Sequence, residues 1–141
     1  LVAQLGGDAV PAIGWALGEE RIVELMRLQG LAGDGAVPDV YLVLAGPAAE
    51  AAGLPLAESL RDAVPSLRIE TNCGGGSFKS QLKRADRSGA RCAIIVGDDE
   101  VAREVATLKL LREDAGQKQV PLSGLAAELA PLVAARDGGQ E

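Results

Sequence analysis

The sequence predicts an α/β fold: a mixed, mainly parallel five-stranded sheet flanked by helices, preceded by a separate strand-helix unit. Three observations carry this expectation. Residues 39–44 and 91–97 are near-continuous apolar runs bounded by turn residues, the pattern of strands buried on both faces. Helical patterns separate the first three strands, so a sheet covered by helices follows. Residues 104–111 and 117–120 then read as two further strands with only a turn between them, around 114–116.

The elements follow in order. Residues 10–18 form a strand on which Ile13, Trp15 and Leu17 point one way and Ala12, Gly14, Ala16 and Gly18 the other, because strand side chains alternate. A helix runs from there to about residue 28, with Glu19 and Glu20 favourably placed at its positive end. Residues 1–29 are one unit, and the Gly-rich stretch 30–38 is a linker to the main domain at 39–136, with 137–141 a disordered tail. In the main domain a helix over 48–64 follows the first strand, with Pro55 a bend or early break in it. A short strand at 67–71 leads into the flexible turn 72–76, and Ser77 caps a helix over 78–88. Phe78, Leu82 and Ala85 recur at helical spacing and face the sheet, which places Lys79, Lys83 and Arg87 outward. After the last strand, residues 122–135 close the domain as a helix.

Composition narrows the chemistry. The 141 residues are 48% hydrophobic but only 2% aromatic, so the core is built from Leu, Val, Ile and Ala. No stretch approaches the roughly 20 apolar residues of a membrane span, and residues 1–20 lack the pattern of a signal peptide. Membrane partners are not expected. There is no histidine, and Cys73 and Cys92 form no CxxC pair, which excludes a zinc site or a histidine-dependent triad within this chain. No metal ligand is expected, and the compartment reads as cytoplasmic. Because the strand-helix unit cannot bury Ile13, Trp15, Leu17, Val23 and Met26 alone, the chain reads as the C-terminal piece of a longer protein.

Charge singles out one segment. The chain carries −6, yet residues 77–91 hold Lys79, Lys83, Arg84, Arg87 and Arg91 against Asp86 alone, a local charge of +4. A basic helix behind Gly74, Gly75 and Gly76 suits a polyanion, and equally a solvated surface helix. At the N-terminal unit, the bare strand face of Gly14, Ala16 and Gly18 lets a flat ligand lie on the backbone. Arg21, always charged and fork-shaped, then reaches a phosphate of it. The same residues also suit an ordinary buried strand and amphipathic helix.

Residues 11–22, PAIGWALGEERI, resemble motif 3 of class II aminoacyl-tRNA synthetases, in the variant of the histidyl-tRNA synthetases. The resemblance implies that Arg21 holds the ATP γ-phosphate, with Gly14, Ala16 and Gly18 beside the adenine; Glu19 departs from the apolar residue usual there. Residues 71–86, TNCGGGSFKSQLKRAD, with 88–91 and the Val-Gly-Asp-Asp-Glu at 96–100, are similar to the C-terminal anticodon-binding domain of bacterial histidyl-tRNA synthetases. That likeness runs over 39–133 and implies recognition of an unpaired anticodon of tRNA(His). Similarity to the related threonyl-tRNA synthetase domain implies that Glu100 and Lys109 contact bases, while Lys79, Lys83 and Arg84 are read as phosphate contacts. The parent so implied activates histidine with ATP and Mg2+, charges its tRNA and is a homodimer; this chain alone is expected to be inactive. Two alternatives stay open: a free-standing, noncatalytic module binding RNA or protein, and a nucleotide-binding domain in which the 74–76 turn cradles phosphate, although the GxxxxGK[ST] spacing is lacking.

Overall fold

The computed structural model describes residues 2–11, 13–31, 37–113 and 116–137. The expected linker over 30–38, the turn over 114–116 and the tail over 137–141 lie wholly or partly outside the described residues. The chain divides into two compact units, Leu1–Ala36 and Val37–Glu141.

In the first unit a single 3-10 turn, Ala3–Leu5, precedes helix α1, Glu19–Leu28. Glu19 and Glu20 occupy its first turn and Arg27 its last, each the charge that the helix dipole favours there. The strand expected before it is not formed among the described residues. Residues 13–18 carry no strand, and Ile13 and Trp15 are 100% and 86% exposed. The physical reason is that a strand is defined by its ladder, and among the described residues none pairs with this segment. Without a sheet, the alternation of bulky and small residues has no two faces to serve.

The second unit is a five-stranded sheet in the order β2-β1-β3-β4-β5. The strands are β1 Val40–Ala45, β2 Ile69–Thr71, β3 Cys92–Gly97, β4 Val105–Leu110 and β5 Gln117–Pro121. β1 pairs parallel with β2 and β3, and β4 pairs antiparallel with both β3 and β5. The helices are α2 Pro47–Ala63, α3 Phe78–Arg87, α4 Asp98–Ala102 and α5 Leu125–Asp137, the last entered through a 3-10 turn, Leu122–Gly124. α2 runs through Pro55 without breaking, because Ala49, Gly53, Ala57 and Leu60 bury one face while Pro55 stays on the solvent side. α4 is an element that the sequence reading did not anticipate.

Two cores sandwich the sheet. Val40, Leu42, Leu44, Ile94, Val96, Ala106 and Leu108 pack with α2 and α5 on one face; Tyr41, Val43, Ala93 and Ile95 pack with Ala85 of α3 on the other. Phe78 departs from expectation: it is 45% exposed, and the buried face of α3 is Gln81 and Ala85, with Leu82 only half-buried. The helix is rotated by about one position from the apolar spacing, because Gln81 takes the central inward place.

Candidate nucleic-acid interface

The strand order reverses between β1 and β3, so the crevice beyond their carboxyl ends is where open α/β sheets commonly take a ligand. Here it is closed by acids. Gly46, with no side chain, precedes α2 and cannot cap it. Asp98 supplies the cap from across the crevice: its Oδ1 accepts from the amides of Ala48 and Ala49 at 3.0 and 3.1 Å. Its carboxylate fills the place that a Cβ on Gly46, at φ 112°, would need. Glu100 Oε2 accepts from the Gly97 amide at 3.0 Å, and its Oε1 lies 3.6 Å from Arg103. The helix starts that would attract phosphate thus already hold carboxylates.

The glycine turn is held by side chains. Gly74, Gly75 and Gly76 have φ of 82°, 62° and 104°, a left-handed run that glycine adopts without steric cost. Asn72 Nδ2 and Arg84 Nη1 both donate to the Gly75 carbonyl, at 3.2 and 3.0 Å, and Arg84 Nη1 also donates to Asn72 Oδ1 at 2.7 Å. Asn72 Oδ1 further accepts from the Tyr41 hydroxyl at 3.2 Å. Burial, and then the Glu70 carboxylate, raise the Tyr41 phenol above its ordinary pKa.

Gln81, 1% exposed, ties the turn to the sheet. β2 ends at Thr71, which leaves the outer edge of β1 without a strand beside Leu44. The Gln81 amide takes the missing strand's part: Oε1 accepts from Leu44 N at 2.8 Å, and Nε2 donates to the carbonyls of Leu44 and Gly76 at 2.6 and 3.0 Å. Every polar atom of this buried amide has work, as burial requires. Ser77 Oγ accepts from the Ser80 amide and caps α3, as its sequence position suggests.

From this anchored start α3 presents Lys79, Lys83 and Arg87, all exposed and, among the described residues, without a hydrogen-bond or ion-pair partner. Arg84 differs, since Nη1 is committed to the turn and Nη2 remains. Lys109 pairs in register with Ala93 on one side and Gln117 on the other. Glu100 follows the far end of β3, so at about 3.3 Å per residue the two stand at least ~13 Å apart along the sheet. The structure therefore does not bring them together as a contacting pair. Among the described residues of the first unit, Gly14, Ala16, Gly18 and Arg21 are exposed, and Arg21 sits in the first turn of α1. No group of three His, Cys, Asp or Glu that could hold a metal occurs among the described residues, and none of the described helices is long and apolar enough to cross a membrane.

Sequence reasoning missed Gln81 and Asp98. Gln81 was readable only as a polar residue four before Ala85, on the same helical face. Asp98 follows an apolar strand and a glycine, a position that suits a cap, but its own helix is not the one whose amides it binds.

Comparison with known proteins gives these groups a context. The anticodon-binding domain family matches residues 39–131. A histidine-tRNA ligase of Halorhodospira halophila is 54% identical over 96% of this chain and 31% of its own length, and one of Hydrogenovibrio crunogenus 46% identical over 86% and 28%. The chain thus spans about a third or less of these relatives. Among solved structures, histidyl-tRNA synthetase from Nostoc sp. PCC 7120 superposes with a TM-score of 0.62 at 26% identity, over 82% of this chain and 28% of that one. The RNA-binding domain of threonyl-tRNA synthetase from Cryptosporidium parvum shares the fold, with a TM-score of 0.58 at 12% identity over 67% of this chain and 23% of that one. With the family pattern spanning its entire sheet, the chain belongs to the anticodon-binding domain family.

Proposed function

We propose that this chain is the anticodon-recognition portion of a histidine-tRNA ligase, a cytoplasmic homodimer that activates histidine with ATP and Mg2+ and transfers it to tRNA(His). The observation that carries the reading is 54% identity to such a ligase over 96% of the chain, extending beyond the anticodon-binding region through the motif around Arg21. In the parent, ATP is a substrate, and Arg21 contacts its γ-phosphate with Gly14, Ala16 and Gly18 along the adenine. This chain offers that phosphate one guanidinium, that of Arg21. The chain covers 31% of that relative, and we assign the rest of the ATP site and the histidine pocket to the remainder of the ligase.

On the RNA side, Lys79 and Lys83 contact phosphates, joined by the free Nη2 edge of Arg84. Glu100 Oε1, held only by the surface pair with Arg103, accepts from a base amino group. Lys109 donates to a base carbonyl or N7. Their separation along the sheet suits two splayed bases better than one.

Binding of the 141-residue chain to an anticodon stem-loop carrying the histidine anticodon, and to stem-loops with one anticodon base exchanged, tests this. Preference for the histidine hairpin is expected, with no histidine-dependent pyrophosphate exchange. Equal binding to every hairpin overturns the anticodon reading; robust exchange overturns the placing of the histidine pocket elsewhere.

A further inference from the structure

We propose that Gln117 and Gln119 of β5 read anticodon bases alongside Lys109, a role that rests on the anticodon reading above. Strand parity sets the geometry. Ala106, Leu108 and Val120 turn into the core under α2 and α5, so Thr107 and Lys109 of β4 and Gln117 and Gln119 of β5 share the opposite face. The register places Lys109 directly across from Gln117, and Thr107 across from Gln119. Facing Cβ atoms of such pairs lie about 4.5–5.5 Å apart, and the next pair on the same face is about 7 Å further along.

On this face α3 packs over Tyr41 and Val43 of β1 and Ala93 and Ile95 of β3. β4 and β5 extend past it: Lys109 and Thr107 are half-buried, Gln117 and Gln119 exposed. Among the described residues, the two glutamine amides and the Lys109 ammonium hold no hydrogen bond or ion pair. The intervening Lys118, on the other face, is by contrast paired with Glu128. One strand thus separates an engaged polar group from two that are unengaged and aligned with an unengaged lysine.

The chemistry suits one occupant, an unpaired RNA base presented edge-on. A carboxamide donates two hydrogen bonds and accepts others, so it meets adjacent donor and acceptor atoms on a base edge, as in its bidentate pairing with adenine. The glutamines carry no charge, so they discriminate without adding to the pull on phosphates. Aromatic platforms are absent from these positions, and edge reading is what the face offers.

The 141-residue chain and its Gln117→Ala, Gln119→Ala, Lys109→Ala and Lys118→Ala variants are titrated with the histidine anticodon hairpin and its single-base exchanges, at several salt concentrations. Each glutamine variant is expected to reduce the preference for the histidine hairpin about 5- to 100-fold at one anticodon position, with unchanged salt slope and melting temperature. Lys118→Ala leaves the preference intact. If both glutamine variants discriminate as the parent chain does while Lys109→Ala does not, the inference falls, the anticodon reading stands, and the glutamines serve only to keep an edge strand soluble. A uniform loss on all hairpins also overturns it. If the parent chain prefers no anticodon, both readings fall together.

Discussion

Gln81 is one polar residue in an apolar place, and its removal measures what it does. Gln81→Leu keeps the volume but leaves the amide and carbonyl of Leu44 without partners on the buried edge of β1. At about 1–3 kcal/mol for each unsatisfied group, a loss of about 2–5 kcal/mol is expected in urea unfolding. Cys92 makes a second test at this scale. Burial, and then the Asp39 carboxylate, push its thiol up to about 12, whereas Cys73 is exposed. Native protein should therefore lose one thiol to an alkylating reagent and the second only on unfolding. The folded state holds the Cys92 proton after the unfolded chain has released it, so stability is intact below about pH 9 and falls above it. The slope is about 1.4 kcal/mol per pH unit toward the folded value. Tyr41, also raised, adds to the loss at higher pH, and a shallower decline in Cys92→Ala isolates the thiol. Neither Gln81 nor Asp98 was legible as a keystone in the sequence, because each acts on backbone atoms more than thirty residues away in the chain. Sequence periodicity reports which face a residue shares, and it is silent on distant amides.

At the scale of elements, legibility followed what each segment needs from its surroundings. The five strands and the helices α2, α3 and α5 were readable because their burial pattern is written in local spacing. α4, five residues long, has too little periodicity to show, and it forms where Glu100 can fold back onto the Gly97 amide. The segment 13–18 has strand-like alternation but no ladder among the described residues, and alternation alone does not make a strand. Phe78 was misplaced because an apolar residue was assumed to mark the buried face, when hydrogen bonding to Leu44 and Gly76 put Gln81 there. α2 supplies the prediction at this scale. Pro55 removes an amide from the middle of a seventeen-residue helix and is exposed, so its ring contributes no core packing. Pro55→Ala should raise the stability of the protein by about 1–3 kcal/mol, read as a higher urea midpoint at unchanged slope.

For the whole molecule, charge distribution governs how a polyanion approaches. A chain of net −6 repels a polyanion except where residues 77–91 reverse the sign, so long-range attraction is confined to one helix and its flanks. Lys79→Ala and Lys83→Ala should each weaken binding of every hairpin alike and lower the log-log salt slope by about 0.7, the value for single strands. Lys109→Ala should change anticodon preference more than salt slope. A salt titration across these variants separates attraction from reading, and a slope unchanged in Lys79→Ala and Lys83→Ala removes α3 from the phosphate contacts.

The carboxylates that occupy the crevice between β1 and β3 have a consequence for life in a crowded cell. Free nucleotides and inorganic phosphate far outnumber any one RNA, and an open sheet of this kind ordinarily tempts them at its strand ends. Asp98 and Glu100 have already taken those seats. Small anions meet like charge there and gain no foothold at the strand ends. Competition from such anions is thereby confined to the basic face of α3, where Lys79, Lys83 and Arg87 are exposed.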